Sequence, residues 1–199
     1  MDHDIIYKSK ELRKDEHFLK IMVVGRACTG NTSMLKRFLY NQFDASTRLT
    51  VGVQFFTAKL KLLEKDVTIQ FWDFAGEERW NSFQPYFYTS LESMMIVFDL
   101  SWAITLDNIE YFIESAKKVG IKLNQILLVG NKSDLTDHIE ITDEFALKLV
   151  EVYNLHSYVK TSAKTGFKIN YAFKLAALIS MFNRKLIDKP ELNSYINKL

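Results

Sequence analysis

Gly25-Arg26-Ala27-Cys28-Thr29-Gly30-Asn31-Thr32 departs by one residue from the pattern G-x-x-x-x-G-K-[ST]. In that pattern a glycine-rich turn aims backbone N–H groups at phosphates, a lysine reaches the outer phosphate oxygens, and a hydroxyl holds Mg²⁺. Gly25, Gly30 and Thr32 are in place, and Asn31 occupies the lysine slot. The apolar run Phe18-Leu19-Lys20-Ile21-Met22-Val23-Val24 predicts a buried strand before the turn. Met34, Leu35, Phe38 and Leu39 predict a helix over 32–40 after it. Strand, glycine turn and helix are the setting in which the motif binds phosphate.

Length and composition suit one compact domain: 199 residues, 48% hydrophobic and 25% charged. A formal net charge of +2 is too small to argue for a nucleic-acid partner. Cys28 is the only cysteine, so no intramolecular disulfide is possible, which fits a reducing compartment. No apolar run approaches the ~18 residues of a membrane span, and Met1-Asp2-His3-Asp4 is not a signal peptide. The expectation is a soluble, cytoplasmic monomer.

Along the chain, apolar strands alternate with amphipathic helices. Val53–Leu63 and Val67–Trp72 predict an antiparallel hairpin turning at Glu64-Lys65-Asp66. Met94–Leu100 and Gln125–Gly130 are saturated apolar runs of the kind buried on both faces of a parallel sheet. Leu106–Val119, Thr142–Tyr153 and Phe167–Arg184 carry apolar residues at helical spacing, with Thr142 as a helix start. The β-then-α order predicts an α/β fold: a mostly parallel six-stranded sheet with one antiparallel edge pair and helices on both faces. Residues 1–17 and 185–199 are expected as N- and C-terminal tails around a single domain at 18–184.

Three further motifs follow in order. Trp72-Asp73-Phe74-Ala75-Gly76-Glu77-Glu78-Arg79 follows the third strand, Asn131-Lys132-Ser133-Asp134 the fifth, and Thr161-Ser162-Ala163-Lys164 the sixth. With these residues the sequence resembles the Ras superfamily of small GTPases, most closely its Rab-like branch, over roughly residues 18–184. The resemblance implies a P-loop GTPase domain that binds GTP and GDP with Mg²⁺ and hydrolyses GTP.

The implied site follows residue by residue. Gly25, Arg26, Ala27, Cys28, Thr29, Gly30, Asn31, Thr32 and Ser33 form the phosphate loop. Thr32, Thr50 and Asp73 hold Mg²⁺, directly or through water. Gly76 meets the γ-phosphate with its N–H, and Glu77 stands where the water-orienting glutamine belongs. Asp134 accepts from the guanine N1–H and exocyclic amine, a fork adenine does not present. Lys132 lies along the base, Ala163 offers an N–H to the base oxygen between Ser162 and Lys164, and Asn131 belongs to the same motif. Phe43 packs edge-on against the base.

Thr50 and Gly76 make contacts that exist with triphosphate and vanish with diphosphate, so the implied switch is intact. The implied catalytic apparatus is impaired. A carboxylate at Glu77 only accepts hydrogen bonds and repels the γ-phosphate; Ala27 adds a methyl at a crowded glycine position; Asn31 removes a positive charge. Arg26 and Arg48 are the nearby cations, Arg48 the better placed because it precedes Thr50. Two classes stay open: a guanine-nucleotide switch with slow hydrolysis, and a pseudo-GTPase acting as a nucleotide-insensitive interaction module. Phe55, Trp72 and Phe87 match an aromatic patch shown to effectors, or else are half-buried core. The four histidines share no ligand spacing. The chain ends in Tyr195-Ile196-Asn197-Lys198-Leu199 and carries Asp2, so no lipid anchor is expected and a membrane would be reached only through a partner.

Overall fold

The central strand β1 (His17–Gly25) is buried on both faces from Ile21 onward. It pairs in parallel with β3 (Lys65–Phe74) on one side and β4 (Ser93–Asp99) on the other. A computed structural model of the chain describes residues 17–46, 49–74 and 90–197. Adding β2 (Val53–Leu62), β5 (Ile126–Asn131) and β6 (Ser157–Lys160) gives a six-stranded sheet of order β2-β3-β1-β4-β5-β6. Only the β2–β3 pair is antiparallel, and every residue of β4 and β5 is buried. Saturated apolar strands are what a sheet covered on both faces requires.

Alternation along β1 divides the core. Leu19, Ile21 and Val23 join α1 (Asn31–Tyr40) and α4 (Ile169–Asn183) on one face. Met22 and Val24 join α2 (Ile109–Lys118) and α3 (Asp143–Tyr153) on the other. Phe38 of α1 stacks on Phe173 of α4 at 4.6 Å, and both meet Phe71 edge-on, so three aromatic rings lock α1 and α4 to β3. Thr142 caps α3 by accepting from the Phe145 N–H. The helix expected over Leu106–Val119 is the shorter α2, preceded by a 3₁₀ turn at Ala103–Leu106.

The hairpin turn lies one residue earlier than the sequence suggested. Leu62 pairs with Lys65, leaving Leu63 and Glu64 as a two-residue turn with φ of 49° and 58°. Both in the left-handed region is what a primed turn needs to match the twist of the strands. The pairing of Leu60 with Val67 keeps both side chains buried, and that burial outweighs the unfavourable backbone.

The segment expected as a C-terminal tail carries a further helix, α5 (Lys189–Ile196). Asp188 and Glu191 form a reciprocal capping box, with Pro190 in the first turn. Ile187 before the cap and Leu192 after it are both buried in the same core as α4. Two apolar residues flanking a cap in this way fix the entry angle of the chain. Of the tail expected at residues 1–17, His17 opens β1, and residues 1–16 lie outside the described residues. No helix among the described residues is long and apolar enough to cross a membrane.

Candidate functional site

Among the described residues, 25–33, Asp73, 131–134 and 162–164 lie at the carboxyl ends of β1, β3, β5 and β6, where α/β sheets place their ligands. After β1 the chain turns through residues 26–30 into α1, whose N-cap Gly30 has φ 96° and no side-chain cap. The first N–H groups of a helix lack intrahelical partners, so this end of α1 offers bare donors and a positive dipole to an anion. A Cβ on Gly30 would stand 2.5 Å from Asn131 Nδ2, and one on Gly25 2.3 Å from the Val97 carbonyl. Neither position admits a side chain. Cys28 is exposed and takes φ 68°, a strained backbone for a non-glycine residue. Ala27 and Ser33 are half-buried beside it.

Three oxygens converge at the start of α1. Thr32 Oγ1 stands 2.7 Å from Thr50 Oγ1 and 2.5 Å from Asp73 Oδ2. Asp73 Oδ1 is buried without a hydrogen-bond partner, alone in this among the side-chain atoms of the described residues. Burial pushes the Asp73 carboxyl up to about 7, against a smaller opposing pull from the Thr32 hydrogen bond. An orphaned carboxylate oxygen beside two hydroxyls suits a hard divalent cation, which would supply the missing partner and favour the charged carboxylate. The residues present fit Mg²⁺.

At the other end, Asn131 is a strut. Its Nδ2 donates to the Thr29 carbonyl at 2.9 Å, and its Oδ1 accepts from the Ala163 N–H at 3.1 Å. One amide therefore ties the phosphate loop to the turn after β6. Ala163's N–H, expected to face a base oxygen, is in this structure donated to Asn131. Asp134 Oδ1 accepts from Ser162 Oγ at 2.5 Å, and its Oδ2 lies 3.9 Å from Lys164 Nζ. Ser133 N–H reaches the Thr161 carbonyl at 3.0 Å, so the two turns form one wall. Lys132, at φ 64°, sets its Nζ 2.6 Å from the buried Asp99. Phe43 stands partly exposed beyond the end of α1.

Two loop residues face elsewhere. Arg26 donates to the Ile104 carbonyl at 2.9 Å and lies 3.7 Å from Asp107, so its charge is directed to the turn after β4. Asn31 is buried, and its Oδ1 accepts from Thr29 Oγ1 at 3.1 Å, inside its own loop. Gly76, Glu77, Arg48 and Phe87 lie outside the described residues. Sequence reasoning missed Asp99 and Arg37. Asp99 had a signal, a lone acid closing the apolar run of β4. Arg37 had none, because a single arginine on an amphipathic helix reads as a solvated residue.

Comparison with known proteins agrees with this geometry. The model of the Ras family matches residues 20–181. The chain is 31% identical over 180 residues to the Ras-related protein Rab11C of Nicotiana tabacum, covering 90% of this chain and 79% of that one. It is 31% identical to the Ras-related protein Rab-19 of Rattus norvegicus, with 90% and 80% covered. The Ras-related protein Rab-11C of Dictyostelium discoideum is 31% identical over 159 residues, or 80% and 70% of the two chains. With the motifs in order on the matching sheet, the chain belongs to the Ras family of small GTPases, in its Rab-like branch.

Proposed function

We propose that this chain is a guanine-nucleotide switch that binds GTP and GDP with Mg²⁺ and hydrolyses GTP slowly. The observation that carries the reading is the cluster of Thr32, Thr50 and Asp73, with Asp73 Oδ1 buried and unpartnered. Thr32, Thr50 and Asp73 would hold Mg²⁺, whose charge would offset that of the phosphates. Thr50 belongs to the loop between α1 and β2, so its hydroxyl joins the cluster only when that loop is closed. Asp134, held by Ser162, selects guanine, because adenine would leave its carboxylate unpaired.

The slow rate follows from the residues that replace the usual catalytic ones. The missing lysine has no substitute in Arg26 or Lys132, which are engaged with Asp107 and Asp99. One lost hydrogen bond to a charged group is worth roughly 1.5–3 kcal/mol, about 10- to 150-fold in affinity. The loop N–H groups, the base pocket and the cation cluster remain, so binding survives that loss. Glu77 and Ala27 add the repulsion and crowding that slow the chemical step. Effectors would meet Phe55 and Trp72, whose rings stand edge to face at 4.6 Å with Lys20 Nζ 3.7 Å over the indole, and Phe87.

A second reading, a nucleotide-insensitive interaction module, is favoured by one contact. The Asn31 amide oxygen accepts from Thr29 Oγ1 within its own loop, an internal contact that helps the loop hold its form without phosphate. Nucleotide released from the purified, denatured protein separates the two. Bound GDP or GTP is the expected result; a protein that carries none and gives no titration heat with either would leave only the module.

A further inference from the structure

The guanidinium of Arg37 is bonded to two segments, one ending α1 and one following β6, each next to a residue assigned above to base binding. Nε donates to the Ala163 carbonyl at 2.8 Å and Nη2 to the Lys164 carbonyl at 2.7 Å. Nη1 donates to Asn41 O and Asn41 Oδ1, both at 3.0 Å. The stem passes Gly166, where a Cβ would stand 3.7 Å from Arg37 Cδ. Asn41 is the left-handed C-cap of α1, at φ 52° and two residues before Phe43. Ala163 and Lys164 lie in the turn whose Ser162 hydroxyl grips Asp134 and whose Ala163 N–H meets Asn131.

We propose that Arg37 is a positioning residue for guanine recognition, joining the Phe43 segment and the Ser162–Lys164 turn into one rigid wall of the base pocket. The inference rests on the guanine-binding reading above. Four acceptors on two segments need a planar group with several donors in fixed directions, which guanidinium supplies. A lysine at this position keeps the charge and most of the stem but is a single donor centre, unable to reach both segments at once. The carbonyls of Ala163 and Lys164 are held from outside the turn, so its amides are presented at a fixed height relative to Asp134. On that reading Asp134 takes the N1–H and the exocyclic amine, and the turn meets the oxygen at position 6 once the base takes the Ala163 N–H over from Asn131 Oδ1. Loosening the turn therefore weakens discrimination at position 6 more than at position 2, because Asp134, though gripped by Ser162, is carried by its own turn after β5.

The test uses the full chain and Arg37→Lys, with Arg37→Gln as a second variant and urea unfolding to show that both are folded. Three ligands are compared: GDP, 6-thio-GDP, which changes only the position-6 acceptor, and IDP, which lacks the exocyclic amine. Arg37→Lys should release GDP about tenfold faster, as expected for losing charge-assisted hydrogen bonds. Its GDP to 6-thio-GDP preference should shrink more than its GDP to IDP preference. Amide hydrogen exchange on the nucleotide-free chain should quicken at residues 163–166 and 41–43 together. Unchanged exchange, or exchange that quickens in one segment only, overturns the tie. Unchanged release and position-6 preference, with wild-type binding intact, overturn the recognition role alone. A wild-type chain that binds no guanine nucleotide overturns that role together with the functional reading.

Discussion

Thr50 Oγ1 stands 2.7 Å from Thr32 Oγ1, across a sequence separation of 18 residues. Thr32 lies in the first turn of α1, and Thr50 belongs to the loop that leads into β2. The contact brings that loop over the helix N-terminus, where Asp73 completes the cluster. A site assembled from a fixed helix and a loop can report what lies between them, because only the loop has to move.

Asp134 should decide base selectivity. The wild-type chain is expected to prefer guanine over adenine nucleotides by at least about 10³-fold, on the unpaired-carboxylate argument. Asp134→Ala should erase that preference in competition against a fluorescent GDP analogue. Equal wild-type affinity for ATP and GTP would refute it.

Asn31→Lys should raise affinity for GDP by about tenfold or more, by restoring a charge-assisted hydrogen bond. The change also removes the acceptor that Thr29 Oγ1 now uses; that hydroxyl keeps the Arg26 carbonyl at 2.9 Å as its alternative. Isothermal titration checks it. An affinity that stays the same or falls means another group has taken over the lysine's role.

Asp73 should make the nucleotide-free fold sensitive to pH. Its folded-state pKa is raised to about 7, so the folded chain keeps a proton that the unfolded chain loses near ~3.9. The folded state then binds more protons between those values, and stability falls as pH rises through that window. Asp73→Asn removes the effect. Without nucleotide at pH 8 the variant should be the more stable, by no more than about 4 kcal/mol, and the advantage should fade toward pH 4. Added Mg²⁺ and GDP should reverse the order, since only the wild type gains a cation ligand. Urea melts across pH would show this; a difference independent of pH would contradict it.

Leu192→Ala should destabilise the fold by about 2–3 kcal/mol, the lower part of the range for a buried leucine. Leu192 belongs to the same core as α4, which carries Phe173. Chemical denaturation is the check, and a loss under about 0.5 kcal/mol, the size of an ordinary surface change, would mean that α5 does not contribute to the core.

The order of strands and helices was legible in the sequence because it is local. The apolar saturation of Met94–Phe98 and Ile126–Val129, the Thr142 cap and the spacing of Gly25 and Gly30 each lie within about a dozen residues, the range over which periodicity and turn chemistry act. The motifs at Asp73, Asn131 and Asp134 were legible for the same reason. Where the sequence reading went astray, a tertiary contact had outweighed local preference. The Leu60–Val67 pairing set the hairpin turn, whereas packing of the terminal segment through Leu192, Tyr195 and Ile196 was to be expected from its apolar residues and only its helix, α5, was missed.

The placement of individual site groups was decided only in three dimensions. Thr32 meets Asp73 across 41 residues, Asn131 meets Thr29 across 102, and Arg37 meets Ala163 across 126. The loop sequence alone does not reveal that Asn31 faces Thr29 or that Arg26 faces Asp107. The sequence by itself determined which chemical groups are present and which loop carries each. Folding determined which of them are buried and which charges are already paired. A hydrogen bond or a desolvation penalty depends on distance in space, and the sheet brings together residues that the chain keeps far apart.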